Sequence, residues 1–325
     1  MYAAFAVALV AGVATGLPYY HIPSIPIGPI DIQVFGMLVA AGVLIGAEIA
    51  RRYALRRGVD EEILRSLTGW CVLCGFAGAH LFDVFVYELD ELRTDPWRIV
   101  KVWQGISSYG GFLGATIGFL IFLRRHKGIW PALMADITLV GTVFGFTMGR
   151  VGCTIVHDHP GAPTDFVLGF DYPAKFIATL HTPGLQGDMR LHNLGFYELL
   201  YLIVVNLVVL PLAFRKKKLP AGMIAVITAT MYAPVRFFLE FWRLDASDPR
   251  YGGLTAAQWM SILAFAVALY ALQKILRTGT PAPYVEELGG QQGGYKPGVT
   301  APPALGAGAG KPAAKPAGGK KSKKS

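Results

Sequence analysis

The run LGFYELLYLIVVNLVVLPLAF, Leu194–Phe214, is almost wholly apolar and is followed at once by one arginine and three lysines at residues 215–218. A bilayer core about 30 Å thick needs about 20 apolar helical residues, so this run is long enough to span it. Backbone groups in lipid must be bonded within their own segment, which favours a helix. Because lysine and arginine in short loops stay cytoplasmic, the basic cluster places the end of this helix on the cytoplasmic side.

The same pattern recurs outward along the chain in both directions. Six more stretches have the length and apolar character of spans, at residues 30–50, 66–87, 106–123, 129–149, 219–240 and 254–273. Basic clusters follow the first, third, fifth and seventh stretches, whereas the alternate connections are longer or contain acids. The sequence therefore predicts an all-α polytopic membrane protein of seven transmembrane helices, with the N-terminus outside and the C-terminus cytoplasmic.

The composition excludes several other classes of protein. Of the 325 residues, 53% are hydrophobic and only 16% are charged, which is too apolar for a soluble enzyme or a disordered chain. Three cysteines are too few for a disulfide framework. The net charge is +9, but residues 279–325 supply +5 of it through seven lysines against two glutamates. The remaining charge gives no reason to predict a nucleic-acid partner.

Three regions are predicted. Residues 1–29 comprise an apolar segment over 1–16, interpreted as a helix on the outer interface, and a Pro-rich entry; a cleaved signal peptide and an eighth span are the alternatives. Residues 30–278 form the transmembrane domain. Residues 279–325, rich in Gly, Pro and Lys, form a disordered cytoplasmic tail attracted weakly to anionic membrane lipids.

Ionisable side chains inside spans are costly, about 2.5 to 3.5 kcal/mol each, and therefore mark functional sites. Six of them lie near the outward ends of predicted spans: His80, Asp83, Arg150, Glu198, Arg236 and Glu240. Their common depth predicts one polar chamber toward the external leaflet. Arg236 and Glu240 are also spaced i, i+4, so a simple pair on one helix face remains the alternative for these two.

Arginine is suited to a phospholipid headgroup, because its planar fork holds phosphate bidentately and stays charged in an apolar setting. Gly149 and Gly152 flank Arg150 and are interpreted as bringing a phosphate against exposed backbone N–H groups. Most other glycines of the third and fourth spans repeat at small-xxx-small spacing and are interpreted as helix packing. The sequence thus predicts a membrane-embedded site for an anionic lipid, with no cofactor and no metal.

Five ordered motifs at these positions resemble the prolipoprotein diacylglyceryl transferase family, over residues 25–275. They are Gly149-Arg150-Val151-Gly152 with Asp158 and Gly161, the glycine-rich segment 109–114, His192 to Glu198, Arg236 to Arg243, and Leu254 to Ser261. The resemblance implies transfer of a diacylglyceryl group from phosphatidylglycerol to the lipobox cysteine thiol of secreted prolipoproteins. It also implies a bacterial inner (cytoplasmic) membrane, with the active site toward the outer leaflet.

The resemblance further implies roles for individual residues. Arg150 and Arg236 would hold the headgroup and the leaving phosphate, and Glu198 and Glu240 would orient them or bind the glycerol hydroxyls. Tyr109 and His80 complete the predicted catalytic set. The predicted substrate-binding residues are Gly110, Gly111, Gly149, Gly152, Cys153, Asp158, Glu240 and Arg243.

The chain departs from the family pattern at four polar positions. Phe35, His80, Tyr109 and Cys153 stand where the family has tyrosine, arginine, histidine and asparagine. The family histidine is a candidate proton acceptor, and a tyrosine of ordinary pKa, about 10, is a poor base at neutral pH. Three outcomes are therefore open. His80, His157 or His159 accepts the thiol proton; the thiol ionises without a dedicated base; or the chain is a divergent paralogue that uses another acceptor or only binds lipid.

Overall fold

A computed structural model describes residues 16–20, 22–27, 30–102, 105, 107–216, 219–244 and 250–281. The predicted interfacial helix at residues 1–16 falls almost wholly outside these residues, as does the tail beyond residue 281. The described chain is mostly helical. Its helices are α1 (Val34–Arg56), α2 (Glu61–Phe82), α3 (Leu89–Thr94), α4 (Ser108–Arg125), α5 (Pro131–Val156), α6 (Ala174–Thr179), α7 (Leu194–Phe214), α8 (Met223–Leu239) and α9 (Ala256–Thr278).

Six of these helices are long and apolar enough to cross a membrane, namely α1, α2, α5, α7, α8 and α9. They match six of the seven predicted spans. The predicted third span forms α4, which has 18 residues and ends in Arg124 and Arg125, two charges that lower its mean hydropathy. Large apolar side chains such as Leu44, Leu73 and Leu207 remain exposed on the long helices, as expected for faces that contact lipid.

Several predicted helix boundaries differ from those of the structure by four residues or more, and two of them have a clear physical reason. The first span begins at Val34, because residues 30–32 form a strand that pairs with Ile25–Ile27 in a hairpin. The fourth span continues past residue 149 to Val156, since the added residues are apolar apart from Arg150 and Thr154, and the Thr154 hydroxyl donates to the Arg150 carbonyl oxygen within the helix. By contrast, α7 matches its predicted range, and the Asn193 side chain caps it by accepting from the Phe196 N–H at 3.0 Å.

Short strands outside the long helices correct the all-α prediction. The strands are β1 (Leu17–Pro18), the hairpin β2 (Ile25–Ile27) and β3 (Ile30–Ile32), β4 (Pro160–Pro163), β5 (Phe170–Tyr172), β6 (Met189–Asn193), and the hairpin β7 (Arg250–Tyr251) and β8 (Leu254–Thr255). Four of them form one sheet in the order β1-β5-β6-β4, where β1 is parallel to β5 and the other pairs are antiparallel. The connection between α5 and α7 is thus a folded unit covering the ends of those helices.

Glycines allow two helix pairs to approach closely. A Cβ at Gly114 of α4 would lie 2.1 Å from the Cys74 carbonyl oxygen of α2, and one at Gly78 would lie 2.5 Å from the Gly110 oxygen. In the pair of α1 and α5, a Cβ at Gly46 would lie 2.6 Å from the Gly141 oxygen. The interpretation of Gly110, Gly114 and Gly141 as packing positions is confirmed, and their partner glycines lie in the first and second spans.

Replacing Gly114 tests this packing. We expect Gly114→Ala to lower the free energy of unfolding by about 1 to 3 kcal/mol, because the added methyl group forces α2 and α4 apart. Gly69→Ala is the matched control, since a Cβ at Gly69 of α2 meets no atom within 4 Å. Thermal unfolding of both variants in detergent measures the difference, and equal midpoints would contradict the assigned contact.

A buried carboxylate sets the register of α5 against α8. The Asp136 carboxylate accepts from the Gly222 N–H at 2.8 Å and from the Ala225 N–H at 2.9 Å, so an α5 side chain caps the N-terminus of α8. Arg150 lies about 21 Å further along α5, and Arg236 lies about 21 Å beyond Gly222 along α8. The cap therefore brings both arginines to one level at the opposite ends of these helices.

Candidate functional site

The first part of the site is an ion pair between α5 and α7. Arg150 Nη2 lies 3.0 Å from Glu198 Oε2, and the two residues are only 6% and 3% exposed. The guanidinium carbon of Arg150 also lies 4.9 Å from the centroid of the Phe146 ring. The packing of α5 against α7 therefore brings the two charges together. Either charge alone would be buried without a partner of opposite sign.

The second part lies along one face of α8 and the turn that follows it. The Tyr232 hydroxyl donates to Glu198 Oε1, and Arg236 Nη1 donates to Glu240 Oε2. Arg236 Nη2 donates to the Tyr109 hydroxyl of α4 at 3.1 Å. Both arginines interact electrostatically with Glu198, so the two parts form one arginine cluster. Its members are Tyr109, Arg150, Glu198, Tyr232, Arg236 and Glu240.

The arginine cluster contains most of the predicted catalytic residues and one residue that the sequence analysis missed. Tyr232 lies one helical turn before Arg236, so their i, i+4 spacing is the signal that would have found it. Arg243, predicted to bind substrate, has Nη1 3.8 Å from Glu240 Oε1 and lies at the edge of the cluster. Arg150 Nε is buried and has no hydrogen-bond partner among the described residues.

Asp158 and His159 lie beside this cluster because the chain reverses at the end of α5. His157 adopts a left-handed conformation, with φ of 53°, and turns the next two residues back over the helix end. The Asp158 carboxylate contacts His159 Nδ1, and His159 Nε2 lies 3.5 Å from Arg150 Nη1. Cys153 Sγ lies 3.6 Å from the same Arg150 atom. The predicted substrate-binding residue Cys153 therefore contacts Arg150 directly, and Asp158 is linked to Arg150 through His159.

Cys153, Asp158 and His159 bring one potential metal-ligand atom each within 4.8 Å of one another. The Arg150 guanidinium, however, lies within 3.6 Å of the thiol sulfur and of the imidazole nitrogen. A positive charge at that distance opposes a bound cation. The chemistry of this cluster therefore fits an anion better than a metal ion.

His80, the remaining predicted catalytic residue, contacts the connection between α2 and α4. Its Nδ1 lies 3.3 Å from the Gly105 carbonyl oxygen, and its Nε2 lies 3.2 Å from that of Arg98 and 3.1 Å from that of Ile99. Asp83 is near Arg98, at 3.8 Å between charged atoms. Among the described contacts, neither His80 nor Asp83 joins the arginine cluster.

Of the four glycines predicted to bind substrate, three pack against other parts of the chain, whereas a Cβ at Gly149 would meet no atom within 4 Å. A Cβ at Gly110 would collide with the Gly78 carbonyl oxygen, and one at Gly111 would contact Ala79, so both positions face α2. The interpretation of Gly149 and Gly152 as donors of exposed N–H groups is wrong, because both lie inside α5, where backbone N–H groups bond within the helix. Gly152 instead makes room for the Phe35 ring, 2.7 Å from its added Cβ.

The motifs at residues 192–198 and 254–261 also contain residues that lie outside the arginine cluster and contact the elements around it. His192 Nδ1 lies 2.9 Å from the Tyr197 hydroxyl, and the His192 ring stacks on Trp242 at 5.3 Å between centroids. Burial of this imidazole lowers the pKa of His192. At the start of α9, Gln258 and Thr255 form a capping box, and Gln258 Nε2 donates to the Phe237 carbonyl oxygen of α8 at 3.4 Å.

Comparison with known proteins gives a consistent result. The model of the family described as prolipoprotein diacylglyceryl transferase matches residues 23–273. Three similar proteins are each named phosphatidylglycerol-prolipoprotein diacylglyceryl transferase. They are one from a Nostoc species (28% identity, 80% of this chain and 91% of the relative), one from Gloeobacter violaceus (28%, 76% and 90%) and one from Lysinibacillus sphaericus (29%, 76% and 89%).

Proposed function

The chain belongs to the prolipoprotein diacylglyceryl transferase family, and from that premise we propose that it transfers a diacylglyceryl group from phosphatidylglycerol to the thiol of a prolipoprotein cysteine. It is therefore a transferase of lipoprotein maturation. Its relatives have the same named activity over about four fifths of this chain. The substrates that follow are phosphatidylglycerol and prolipoproteins with a lipobox cysteine.

The reaction places its largest demand on the phosphate. A thiolate attacks the glyceryl carbon, the carbon–oxygen bond breaks, and glycerol phosphate leaves with the electron pair. Donors aimed at the oxygen that gains charge in this step lower the barrier most. A site for this reaction therefore needs fixed cationic donors in a buried, water-poor setting.

The observation that carries the proposal is the pair of buried guanidinium groups on α5 and α8, each held by a carboxylate. Glu198 and Glu240 orient Arg150 and Arg236 without using every donor, since Arg150 Nε has no partner among the described residues. The Tyr109 and Tyr232 hydroxyls extend the polar lining on two sides. In our proposal, Arg150 and Arg236 bind the phosphate, and Glu198 and Glu240 position them.

The proposal includes an arrangement in the membrane. With α4 counted as a span beside α2, the chain crosses a bacterial inner membrane seven times, with its N-terminus outside and its C-terminus cytoplasmic. The basic residues that follow α1, α4 and α7 support this direction. The arginine cluster then lies toward the outer leaflet, where a secreted prolipoprotein presents its cysteine.

Complementation tests the proposed function. A bacterial host depleted of its own transferase and expressing this chain should produce thioether-lipidated lipoprotein, detected by mass spectrometry of a reporter. The host with an empty vector is the control, and membrane fractionation verifies insertion. Inserted protein that binds phosphatidylglycerol but lipidates nothing would instead support a noncatalytic lipid-binding paralogue.

A further inference from the structure

We propose that His159 accepts the proton of the substrate thiol, with Asp158 as its positioning residue. This inference rests on the proposed function and assigns one step of it. It uses three side chains that the connection after α5 brings together, namely Arg150, Asp158 and His159. His159 is then a catalytic residue of this chain. The sequence alone did not distinguish it from the other two candidate proton acceptors, His80 and His157.

The structure separates His159 from the other two imidazoles by what their nitrogens contact. Both ring nitrogens of His80 face backbone carbonyl oxygens of the connection between α2 and α4, so neither nitrogen faces the arginine cluster through these contacts. His157 is buried, with Nδ1 near the Tyr172 hydroxyl and the Asn193 amide and Nε2 near the Tyr20 carbonyl oxygen. Neither ring directs a lone pair at the arginine cluster through these contacts.

The contact with Asp158 fixes the tautomer of His159. A carboxylate beside Nδ1 holds the proton on that nitrogen, so the lone pair lies on Nε2. Nε2 faces the Arg150 guanidinium at 3.5 Å. The basic nitrogen therefore lies beside the group proposed to hold the reacting phosphate, so a thiol that attacks a lipid bound there comes within reach of this nitrogen in our proposal.

The exposure of the His159 and Asp158 side chains fits a peptide substrate that arrives from outside the helices. The His159 and Asp158 side chains are 20% and 36% exposed, whereas the Arg150 side chain is 7% exposed. His159 thus stands at the boundary between the buried guanidinium and the folded connection of residues 157–193. A peptide thiol approaching a lipid held at Arg150 passes this imidazole.

The charged groups that face His159 couple its basicity to the lipid. They are Asp158 beside it, Arg150 from α5 and Glu198 from α7, and the uncharged thiol of Cys153 lies within 4.8 Å of the same imidazole. Without lipid, Arg150 Nη1 is directed at the Nε2 lone pair. A phosphate oxygen that accepts a hydrogen bond from Nη1 directs this donor away from His159 Nε2. The Nε2 lone pair then becomes available to a thiol once the lipid is bound.

The step balances without a co-reactant. The thiol S–H bond breaks and its proton moves to His159 Nε2, while the thiolate forms the C–S bond and the C–O bond to phosphate breaks. The imidazolium then returns the proton to the glycerol phosphate or to water. No electron is exchanged with the enzyme, and both reactants belong to the proposed function.

The test uses the purified full-length chain in phosphatidylglycerol vesicles with a lipobox peptide. We expect His159→Gln to lower kcat about 100-fold, because general-base catalysis contributes at least that factor. The KM for phosphatidylglycerol should stay near the parental value. The fall of kcat at acid pH caused by imidazole protonation should disappear, leaving a rate that rises until the peptide thiol itself ionises, at a pH of about 8.5.

Further variants separate a base from a structural role. Asp158→Asn should lower kcat by a smaller factor than His159→Gln does, and it should also change the fall of kcat at acid pH. His159→Gly should regain turnover when free imidazole is added, which a structural defect would not do. His181→Asn is the matched control, since His181 is exposed and left-handed with φ of 48°, a conformation that asparagine tolerates. It should retain the parental rate and pH profile.

Two results would overturn the inference while leaving the proposed function intact. One is an active parent whose His159→Gln variant keeps the parental kcat and pH profile. The other is loss of parental activity on chelation with recovery on adding Zn²⁺, which would make Cys153, Asp158 and His159 a metal site. A membrane-inserted parent that transfers no diacylglyceryl group overturns the proposed function, and this inference with it.

Discussion

Arg150→Ala is expected to lower turnover about 100- to 1,000-fold, because it removes a buried donor from the oxygen on which charge develops. Arg150→Lys should recover little of that loss, since a point charge cannot reproduce the bidentate fork. The measurement is steady-state release of glycerol phosphate by the purified chain in phosphatidylglycerol vesicles with a lipobox peptide.

Arg93 provides the matched control for Arg150. It is an exposed arginine of α3 paired with the exposed Asp90, so Arg93→Ala should leave turnover near the parental rate. Near-parental turnover of Arg150→Ala, in protein that still inserts into the vesicles, would show that phosphate stabilisation at this guanidinium is not the main catalytic effect.

Glu198→Ala is expected to lower the free energy of unfolding by about 3 to 5 kcal/mol, because it leaves the buried Arg150 without its carboxylate partner. It also removes the acceptor of the Tyr232 hydroxyl, so it loosens α7 from both α5 and α8. Thermal and denaturant unfolding in detergent would measure the loss. Glu198→Gln should lose less, since it keeps an oxygen that accepts hydrogen bonds.

Asp90→Ala is the control for this stability measurement. Asp90 forms an exposed ion pair with Arg93, and such pairs contribute at most about 1 kcal/mol. A Glu198→Ala variant no less stable than Asp90→Ala would mean that the buried pair between α5 and α7 does not hold these helices together.

The end of α5 shows one limit of predicting helix boundaries from the sequence. The charge of Arg150 marked a site, but it also suggested that the span ends there, because an isolated arginine in lipid is costly. Glu198, which lies 48 residues further along the chain, pairs with Arg150 and lowers that cost. The helix therefore continues to Val156. The error arose from judging a charge without its tertiary partner.

The glycine positions illustrate a second limit. Their spacing predicted close helix contacts, which GxxxG-type patterns specify locally. It did not say which helices would meet, and the structure pairs α2 with α4 and α1 with α5. Gly110 and Gly111 therefore face α2, although their motif suggested substrate binding.

The sequence by itself determined the membrane class, the range of α7 and the family of the chain. These follow from local energetics, since each apolar run or charge has its cost in lipid irrespective of the other helices. Only the tertiary structure decided that Tyr232 joins the two arginines and that His159 turns back over Arg150. Those contacts depend on the Asp136 cap between α5 and α8 and on the left-handed turn at His157, which position residues far apart in sequence or on opposite sides of a helix end.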